Sequence, residues 1–307
     1  MLDTVCFSVV IPYFKKIKYI KKTLLSVLNQ SYKNFEIVLV IDGTQPEEED
    51  PGNILELLNT DKIKVLRYDQ NKGLCGARNY GAGQSNFDWM VFLDADDLLP
   101  FNALEVFSSA ITASESNVSF YFGDLVCYGK DRKTVIYPNR PFEFEEMLKG
   151  NHLSAAGFCI SKKSFKEIGG FDENEIMKMS FEDQEFWIRV GVAGLVGVYI
   201  PQVLYVYSRE DPNSLVAKLG GVIDKSAEYI AEKHKVYFDE FGLYNYFLVK
   251  NYKKYAWDNI YKKDFAEARR ACWRILKLVP SENETIKILK QIRKKTIWRK
   301  IKSILQF

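Results

Sequence analysis

Histidine and cysteine are both scarce in this sequence of 307 residues. Only His152 and His234 occur, so histidine-based catalytic triads and three-histidine metal sites are excluded, and acid–base chemistry near neutral pH must use carboxylates or water. The five cysteines are odd in number and lack CxxC spacing, which argues against a disulfide framework or zinc site and favours a reducing compartment.

Long apolar runs are missing as well. No segment approaches the roughly 20 apolar residues that a membrane-spanning helix needs. The apolar run at residues 5–11 is short and is followed at once by Pro12, which is unlike a signal peptide. We therefore expect a cytoplasmic protein, and the formal net charge of +3 is too small to indicate a nucleic-acid partner.

The first hundred residues alternate between strand and helix patterns. The predicted strands are residues 5–11, 35–41, 63–68 and 89–93, and the predicted helices are 17–30, 53–59 and 73–85. This alternation is typical of βαβ units and predicts an α/β fold with a mostly parallel sheet.

Beyond residue 100 the pattern is mixed, and beyond Pro212 it is helical. We predict helices at 101–113 and 181–193, and strands at 118–127, 134–137, 195–200 and 203–207. Asp264 and Ser281, each with Glu three residues on, are predicted to cap helices. We expect a catalytic domain over residues 1–214 and a helical C-terminal region over residues 215–307.

Three carboxylates crowd the end of the predicted strand 89–93, in the sequence DADD at residues 94–97. Carboxylates packed this closely repel one another and are costly to remove from water. A hard divalent cation relieves both effects and keeps positions open for substrate phosphates. The alternative is a solvated acidic turn in which Asp96 or Asp97 caps the next helix.

Five motifs occur in order along the first two thirds of the chain. They are SVVIPYF at residues 8–14, VLVIDGT at 38–44, NKGLCGARN at 71–79, FLDADD at 92–97 and ED at 182–183. This series resembles family 2 glycosyltransferases of the GT-A fold, which transfer a sugar from a nucleotide diphosphate to an acceptor with inversion. The resemblance covers roughly residues 5–215 and implies a Rossmann-like sheet flanked by helices.

The resemblance implies that the nucleotide base lies in the loop after the first strand. Phe14, beside Pro12 and Tyr13, stands where an aromatic ring stacks on uracil. Asp42 matches the acid that accepts a hydrogen bond from the base. On the alternative interpretation, Tyr13 and Phe14 only fill the top of the sheet, and Asp42 forms a turn before Gly43.

The resemblance assigns the metal and the diphosphate to the next motifs. Asp94 and Asp96, on either side of Ala95, match an Asp-x-Asp pair that holds Mn²⁺ or Mg²⁺. Arg78 is implied to pair with diphosphate oxygens, as is Arg209; a surface position is the alternative for Arg78.

Arg209 lies in a motif that departs from the family's Tyr-Arg-x-His pattern, because Asp211 replaces the histidine. Either Asp211 is a hard oxygen ligand, or that contact is lost.

The resemblance places the catalytic carboxylates at Glu182 and Asp183. Asp183 matches the base that removes the proton of the acceptor hydroxyl, and Glu182 positions the acceptor or the base. The alternative is that both acids only favour the start of a helix through its dipole. His152 is either an acceptor contact or a structural hydrogen-bonding residue.

The C-terminal end is basic and amphipathic. Between residues 287 and 302 there are eight lysines and arginines and no acid, interleaved with isoleucine, leucine and Trp298. Such a helix suits the inner face of an anionic cell membrane, in peripheral contact, and this agrees with a lipid-linked acceptor. The alternative is a helix packed on the catalytic core with its charges in water.

We therefore predict a metal-dependent inverting glycosyltransferase of the hexosyltransferase type. Its expected donor is a nucleotide sugar, with UDP favoured, and its expected acceptor is a saccharide or lipid-linked saccharide in cell-surface polysaccharide synthesis. One alternative is a sugar nucleotidyltransferase, which needs a glycine-rich basic loop, whereas residues 13–16 contain no glycine. The other is a non-catalytic subunit that binds nucleotide sugars.

Overall fold

A computed structural model describes residues 4–128, 135–137, 139–150, 153–178, 181–209 and 223–304. The chain divides into two compact units. The first comprises Met1–Met147, Asn151–Lys178 and Glu182–Ser214; the second comprises Leu148–Gly150, Met179–Phe181 and Leu215–Phe307.

Strands and helices alternate through the first hundred residues, as the sequence predicts. The strands are β1 (Phe7–Tyr13), β2 (Phe35–Asp42), β3 (Ile63–Tyr68) and β4 (Trp89–Phe92). The helices are α1 (Ile17–Leu28), α2 (Gly52–Leu58) and α3 (Gly73–Gln84), with a 3₁₀ turn at Glu47–Glu49.

Between residues 100 and 210 the two kinds of element are mixed. The strands are β5 (Val118–Tyr128), β6 (Val135–Tyr137), β7 (Phe158–Ser161) and β8 (Val196–Ser208). The helices are α4 (Ala103–Ala113), α5 (Phe144–Lys149), α6 (Lys162–Glu167) and α7 (Glu182–Val192), with a 3₁₀ turn at Glu175–Lys178. The sequence did not predict β7, α5 or α6, which are only four to six residues long.

The described strands form an eight-stranded sheet in the order β3-β2-β1-β4-β7-β5-β6, with β8 beside β5. Strand β1 pairs in parallel with both β2 and β4, and β2 pairs in parallel with β3. Strand β7 is antiparallel to β4 and to β5, and β8 is parallel to β5. Parallel strands end at the same edge, so the residues that follow β1, β2 and β4 collect at one rim of the sheet.

Strand β1 is buried along its whole length because helices cover both of its faces. Val9 and Ile11 belong to the core cluster that includes the apolar face of α1. Val10 points the other way, toward Gly81 of α3. A Cβ atom added at Gly81 would lie 2.5 Å from the Val10 side chain, so glycine allows α3 to approach the sheet closely.

The second unit is helical over residues 223–304. Its helices are α8 (Ile223–Lys233), α9 (Lys235–Glu240), α10 (Tyr244–Tyr261), α11 (Phe265–Leu278) and α12 (Asn283–Ile304). Ala256, Ile260, Cys272, Ile288 and Ile292 join α10, α11 and α12 in one apolar core. In the described ranges, no helix has both the length and the apolar character needed to cross a bilayer. The predicted fold class is confirmed: a mostly parallel α/β sheet with flanking helices and a helical C-terminal region.

Two local predictions are wrong. The two strands predicted around Pro201 are the single strand β8, because Pro201 and Gln202 are exposed at a shift of register and do not end the strand. The cap predicted at Ser281 belongs to Glu282, whose side chain accepts the Thr285 N–H at 2.6 Å. The cap predicted at Asp264 is confirmed.

Candidate active site

The candidate site lies at the rim where β1, β2 and β4 end. The turn after β4 contains Asp94 to Asp97 and is closed by a hydrogen bond from the Asp97 N–H to the Asp94 carbonyl, at 3.1 Å. Ala95 is buried within this turn. The four motif residues therefore have a defined conformation.

Asp97 fixes this turn to strand β8. It is only 1% exposed, and its carboxylate accepts the Ser208 N–H at 2.7 Å and the Tyr205 hydroxyl. Burial raises the pKa of Asp97 well above its usual value, and the negative charges of Asp94 and Asp96 add to the shift. Both Asp97 oxygens accept hydrogen bonds within the protein. Asp94 and Asp96 are therefore better placed than Asp97 to bind a cation.

Each of these two carboxylates is paired with a cation. Asp94 Oδ1 lies 2.7 Å from Arg78 Nη2, and Asp96 Oδ2 lies 2.6 Å from Lys16 Nζ. Burial raises the pKa of Asp96, and the Lys16 ammonium partly opposes the shift. Lys16 was not predicted as a site residue, because no motif singles it out among five lysines in residues 15–22.

Arg78 lies at the centre of the carboxylate cluster. Its side chain is 2% exposed, and its Nη1 lies 3.5 Å from Glu182 Oε1. Its guanidinium also stacks 5.0 Å from the ring centroid of Phe171. Burial alone lowers the pKa of Arg78, but Asp94 and Glu182 outweigh this and raise it, so the group stays charged.

Two polar atoms of Arg78 lack hydrogen bonds. In the part of the chain that the structure describes, its Nε and Nη1 are buried and donate no hydrogen bond. Buried donors of a charged group normally have a hydrogen-bond acceptor. Leaving such a donor without an acceptor costs free energy. A ligand or water that supplied acceptor oxygens here would therefore bind favourably.

Glu182 and Asp183 begin helix α7, as the sequence predicts. Burial raises the pKa of Glu182 to about 7; Asp183 adds to the shift and Arg78 opposes it. Asp183 Oδ1 accepts the Gln184 N–H at 2.7 Å. The preceding Phe181 has φ of 69°, a left-handed conformation that is uncommon for a bulky residue and is often found next to functional groups.

The residues predicted to hold the base differ in exposure. Pro12 and Tyr13 are buried in β1, and the Tyr13 hydroxyl donates to the Glu49 carbonyl at 2.5 Å, so Tyr13 fills the top of the sheet. Phe14 is 42% exposed and offers a ring face. The next residue, Lys15, has φ of 50°, a second left-handed position beside the site.

Asp42 ends β2 and is 3% exposed. Its Oδ1 accepts the Lys72 N–H at 2.7 Å, which joins the loops that follow β2 and β3. Gly43 has φ of 79°, and a Cβ atom there would lie 2.9 Å from the Asn71 nitrogen. Glycine is required at this position because the two loops approach so closely.

Arg209 lies just after β8. Its N–H donates to the Tyr128 carbonyl at 2.7 Å. Burial raises the pKa of the Cys127 thiol, and the neighbouring Arg209 guanidinium partly opposes the shift. Arg78, by comparison, contacts Asp94 and Glu182 directly. Asp211 and His152 lie outside the described residues.

The side chains of Asp94 and Asp96 would suit a divalent cation that takes its remaining oxygen ligands from water and a bound substrate. Among the residues that the structure describes, no group of three or more histidine, cysteine, aspartate or glutamate side chains is arranged to hold a metal ion. Asp94 and Asp96 instead offer two oxygen ligands at an accessible rim. This matches the usual coordination of Mg²⁺, which takes one or two carboxylates together with water and substrate phosphates.

Comparison with known proteins decides the family. The model of the family described as "Glycosyl transferase family 2" matches residues 8–169, which is more than half of the chain. The chain belongs to glycosyl transferase family 2. The prediction that it is a glycosyltransferase is thereby confirmed.

Two relatives of this family 2 chain differ in how much of their length is matched. An uncharacterized glycosyltransferase of Haemophilus influenzae is 26% identical over 225 residues, 69% of this chain and 78% of the relative. An uncharacterized glycosyltransferase of Rickettsia bellii is 35% identical over 99 residues, 32% of this chain but only 14% of the relative.

A solved structure shares the fold. The 1–349 fragment of S. aureus TarS, in complex with UDP-GlcNAc, aligns with a TM-score of 0.62 at 16% identity and covers 92% of both chains. At this identity the likeness concerns the fold, and it agrees with the fold class predicted from the sequence.

Proposed function

We propose that this family 2 member is a metal-dependent, inverting glycosyltransferase of the GT-A type that uses a UDP-sugar. The observation that carries the proposal is the position of Arg78. Its buried guanidinium joins Asp94, in the turn expected to bind the donor, to Glu182 at the start of the helix expected to bind the acceptor. A transferase must hold the acceptor hydroxyl about 3–3.5 Å from the reacting carbon of the donor, so the donor site and the acceptor site must adjoin.

The donor would lie along the rim of the sheet. The exposed ring of Phe14 suits stacking on the base, and Asp42 stands at the end of the neighbouring strand. The unsatisfied Nε and Nη1 of Arg78 suit diphosphate oxygens, with Arg209 as a second cation. The fold shared with a TarS fragment that was solved with UDP-GlcNAc supports UDP as the nucleotide.

Mn²⁺ or Mg²⁺ would be held by Asp94 and Asp96 together with the diphosphate. The ion would supply positive charge where the leaving diphosphate gains negative charge. The fixed positive charge of Arg78 would act in the same direction, because it lies against Asp94.

The transfer step needs a base on the opposite face of the sugar. Asp183 would take the proton of the acceptor hydroxyl while that oxygen forms a bond to C1 of the sugar. The bond from C1 to the diphosphate oxygen breaks, and its electron pair leaves with the diphosphate, which inverts C1. Glu182 would orient the acceptor or Asp183 through its contact with Arg78.

The test compares Asp183→Asn with Glu182→Gln, using UDP release from UDP-sugars with saccharide acceptors and donor binding by calorimetry. We expect Asp183→Asn to keep donor binding and lose transfer by at least about 100-fold, and Glu182→Gln to lose less. Substantial turnover by Asp183→Asn would remove Asp183 as the base. An NMR spectrum of the product with retained configuration at C1 would refute an inverting mechanism.

We also propose peripheral contact between the C-terminal unit and an anionic membrane, which suits a lipid-linked acceptor in cell-surface polysaccharide synthesis. Residues 215–307 carry 21 lysines and arginines against 10 aspartates and glutamates. Helix α12 does not offer its whole apolar face, because Ile288 and Ile292 are buried in the unit's core. The first half of that helix is therefore packed within the C-terminal unit.

Helix α10 supplies a second surface for such contact. Tyr246, Lys250, Lys254, Trp257 and Tyr261 are exposed and recur every three or four residues. This spacing places three aromatic rings and two lysines on one side of the helix. Aromatic rings and cations together are typical of surfaces that bind membrane interfaces.

Vesicle sedimentation tests this contact. We expect the full chain to sediment with phosphatidylglycerol vesicles but not with phosphatidylcholine vesicles. Truncation after Lys294 keeps the core residues Ile288 and Ile292, and Trp257→Ser removes one ring from the exposed side of α10; each should weaken binding. No sedimentation with either vesicle would refute the proposal.

A further inference from the structure

The Lys16 ammonium occupies a position that the proposed metal needs. Its Nζ lies 2.6 Å from Asp96 Oδ2, and the two side chains are only 22% and 16% exposed. A divalent cation bound by Asp96 would share the carboxylate that the ammonium already neutralises. Two positive charges this close to one carboxylate repel each other, so the divalent cation and the Lys16 ammonium each weaken the binding of the other to Asp96.

The two internal cations of the cluster differ in how readily they can move. Arg78 is 2% exposed and is held by Asp94, Glu182 and the ring of Phe171. Lys16 precedes helix α1 and carries its charge on a flexible four-carbon chain at the rim. Displacing Lys16 therefore costs less than displacing Arg78.

We propose that Lys16 is an internal counter-ion that holds the place of the metal on Asp96 in the donor-free enzyme. When the donor and its cation bind, the ammonium leaves Asp96 and pairs with the donor's diphosphate, the anion that arrives beside it. This inference rests on the proposed function. It gives Lys16 two effects of opposite sign: it weakens metal binding without a nucleotide and strengthens binding of the nucleotide.

The consequence is a particular order of binding. Without a nucleotide, Mn²⁺ must compete with Lys16 for Asp96, so its affinity is low. With UDP present, the diphosphate offers Lys16 another partner and adds oxygen ligands for the ion. The affinity for Mn²⁺ should therefore rise strongly when UDP is added, and part of this rise should depend on Lys16.

The experiment measures free Mn²⁺ by electron paramagnetic resonance in titrations with and without UDP. Lys16→Met removes the charge and keeps the length of the side chain. Lys18→Met makes the same change at an exposed position on α1 and is the matched control. Lys16→Arg keeps the charge and should resemble the wild type.

Without UDP, we expect Lys16→Met to bind Mn²⁺ at least about fivefold more tightly than the wild type, and Lys18→Met to stay within about twofold. A fivefold change in affinity corresponds to a free energy at the upper end of the range for partly exposed ion pairs. With UDP, we expect Lys16→Met to lose this advantage and to bind UDP about fivefold more weakly. Equal Mn²⁺ affinities for Lys16→Met and Lys18→Met without UDP would overturn the inference.

Asp96→Asn separates this inference from the proposed function. If Asp96→Asn binds Mn²⁺ and UDP as tightly as the wild type, the metal assignment itself fails. If Asp96→Asn loses Mn²⁺ but the two lysine variants behave alike, only the role of Lys16 fails. Circular dichroism checks that each variant is folded, and Lys16→Gln provides a second neutral variant.

Discussion

Replacing Arg78 with methionine removes a guanidinium from the centre of the carboxylate cluster. Methionine keeps the unbranched aliphatic part of the side chain but lacks the guanidinium that stacks on Phe171. The change leaves Asp94 and Glu182 without their shared cation. Removing one partner of a buried ion pair costs about 3–5 kcal/mol, because the remaining charge is left buried.

The loss of stability caused by Arg78→Met should fall at the lower end of that range. Asp94 is 27% exposed and Glu182 is 19% exposed, so water screens part of the lost attraction. We expect Arg78→Met to lower the free energy of unfolding by about 3 kcal/mol at pH 8. The matched control is Arg67→Met, which breaks the surface pair with Asp50 and should cost less than about 1 kcal/mol.

The loss should depend on pH with a definite sign. The folded-state pKa of Glu182 is raised to about 7, from 4.5, so its deprotonation lowers stability as the pH rises through that range. The Arg78 charge opposes the increase in the pKa of Glu182, so without Arg78 this pKa moves higher still. At pH 5.5 Glu182 is mostly protonated and only Asp94 loses its partner, so the loss should be smaller than at pH 8.

Urea unfolding of the wild type and both variants at the two pH values measures these differences. The reasoning would be refuted by equal losses for Arg78→Met and Arg67→Met at pH 8. A loss for Arg78→Met that grew toward pH 5.5 would refute the assigned coupling between Arg78 and Glu182.

Two further predictions concern the scaffold of the site. Gly81→Ala should destabilise the protein by about 1–3 kcal/mol, because the added Cβ would overlap valine side chains of β1 and β2. The matched control is Gly83→Ala on the same helix, where an added Cβ atom would have no neighbour within 4 Å; this change should be neutral or stabilising by up to about 1 kcal/mol. Thermal unfolding that showed Gly83→Ala to be the less stable of the two variants would contradict this packing. Tyr205→Phe removes the hydroxyl that donates to buried Asp97 and should cost about 2 kcal/mol. The hydroxyl stabilises the charged form of Asp97, so that loss should shrink as the pH falls and the carboxylate gains a proton; equal unfolding midpoints for Tyr205→Phe and the wild type would contradict it.

The parts of the fold that the sequence predicts are those with strong hydrophobic patterns. Strands β1, β2 and β4 are continuous apolar runs, and α1 has apolar residues at helical spacing, so their bounds are predicted within two residues. Strand β7 has only four residues, so its pattern is too short to recognise. Pro201 suggested a break in β8. The sequence alone could not show that Pro201 lies at a bulge, because the bulge arises from the pairing of β8 with β5.

The candidate site was predictable where a residue type matches a motif at the end of a strand. Asp94 and Asp96 were predicted in this way, and Glu182 was predicted from its motif at the start of α7, although the sequence did not reveal that Arg78 contacts both Asp94 and Glu182. Lys16 is one of several similar lysines, and only the folded structure brings it to Asp96, 80 residues away. Long-range ion pairs of this kind leave no periodic signal in a sequence.

The most direct test of the account is a calorimetric titration of UDP into the wild type and Asp96→Ala, with and without Mn²⁺. Asp88→Ala, at an exposed position before the same strand, is the matched control. We expect UDP to bind the wild type and Asp88→Ala much more tightly with Mn²⁺ than without it, and Asp96→Ala to lose that gain. Equal, metal-dependent binding of UDP by Asp96→Ala and the wild type would contradict the account.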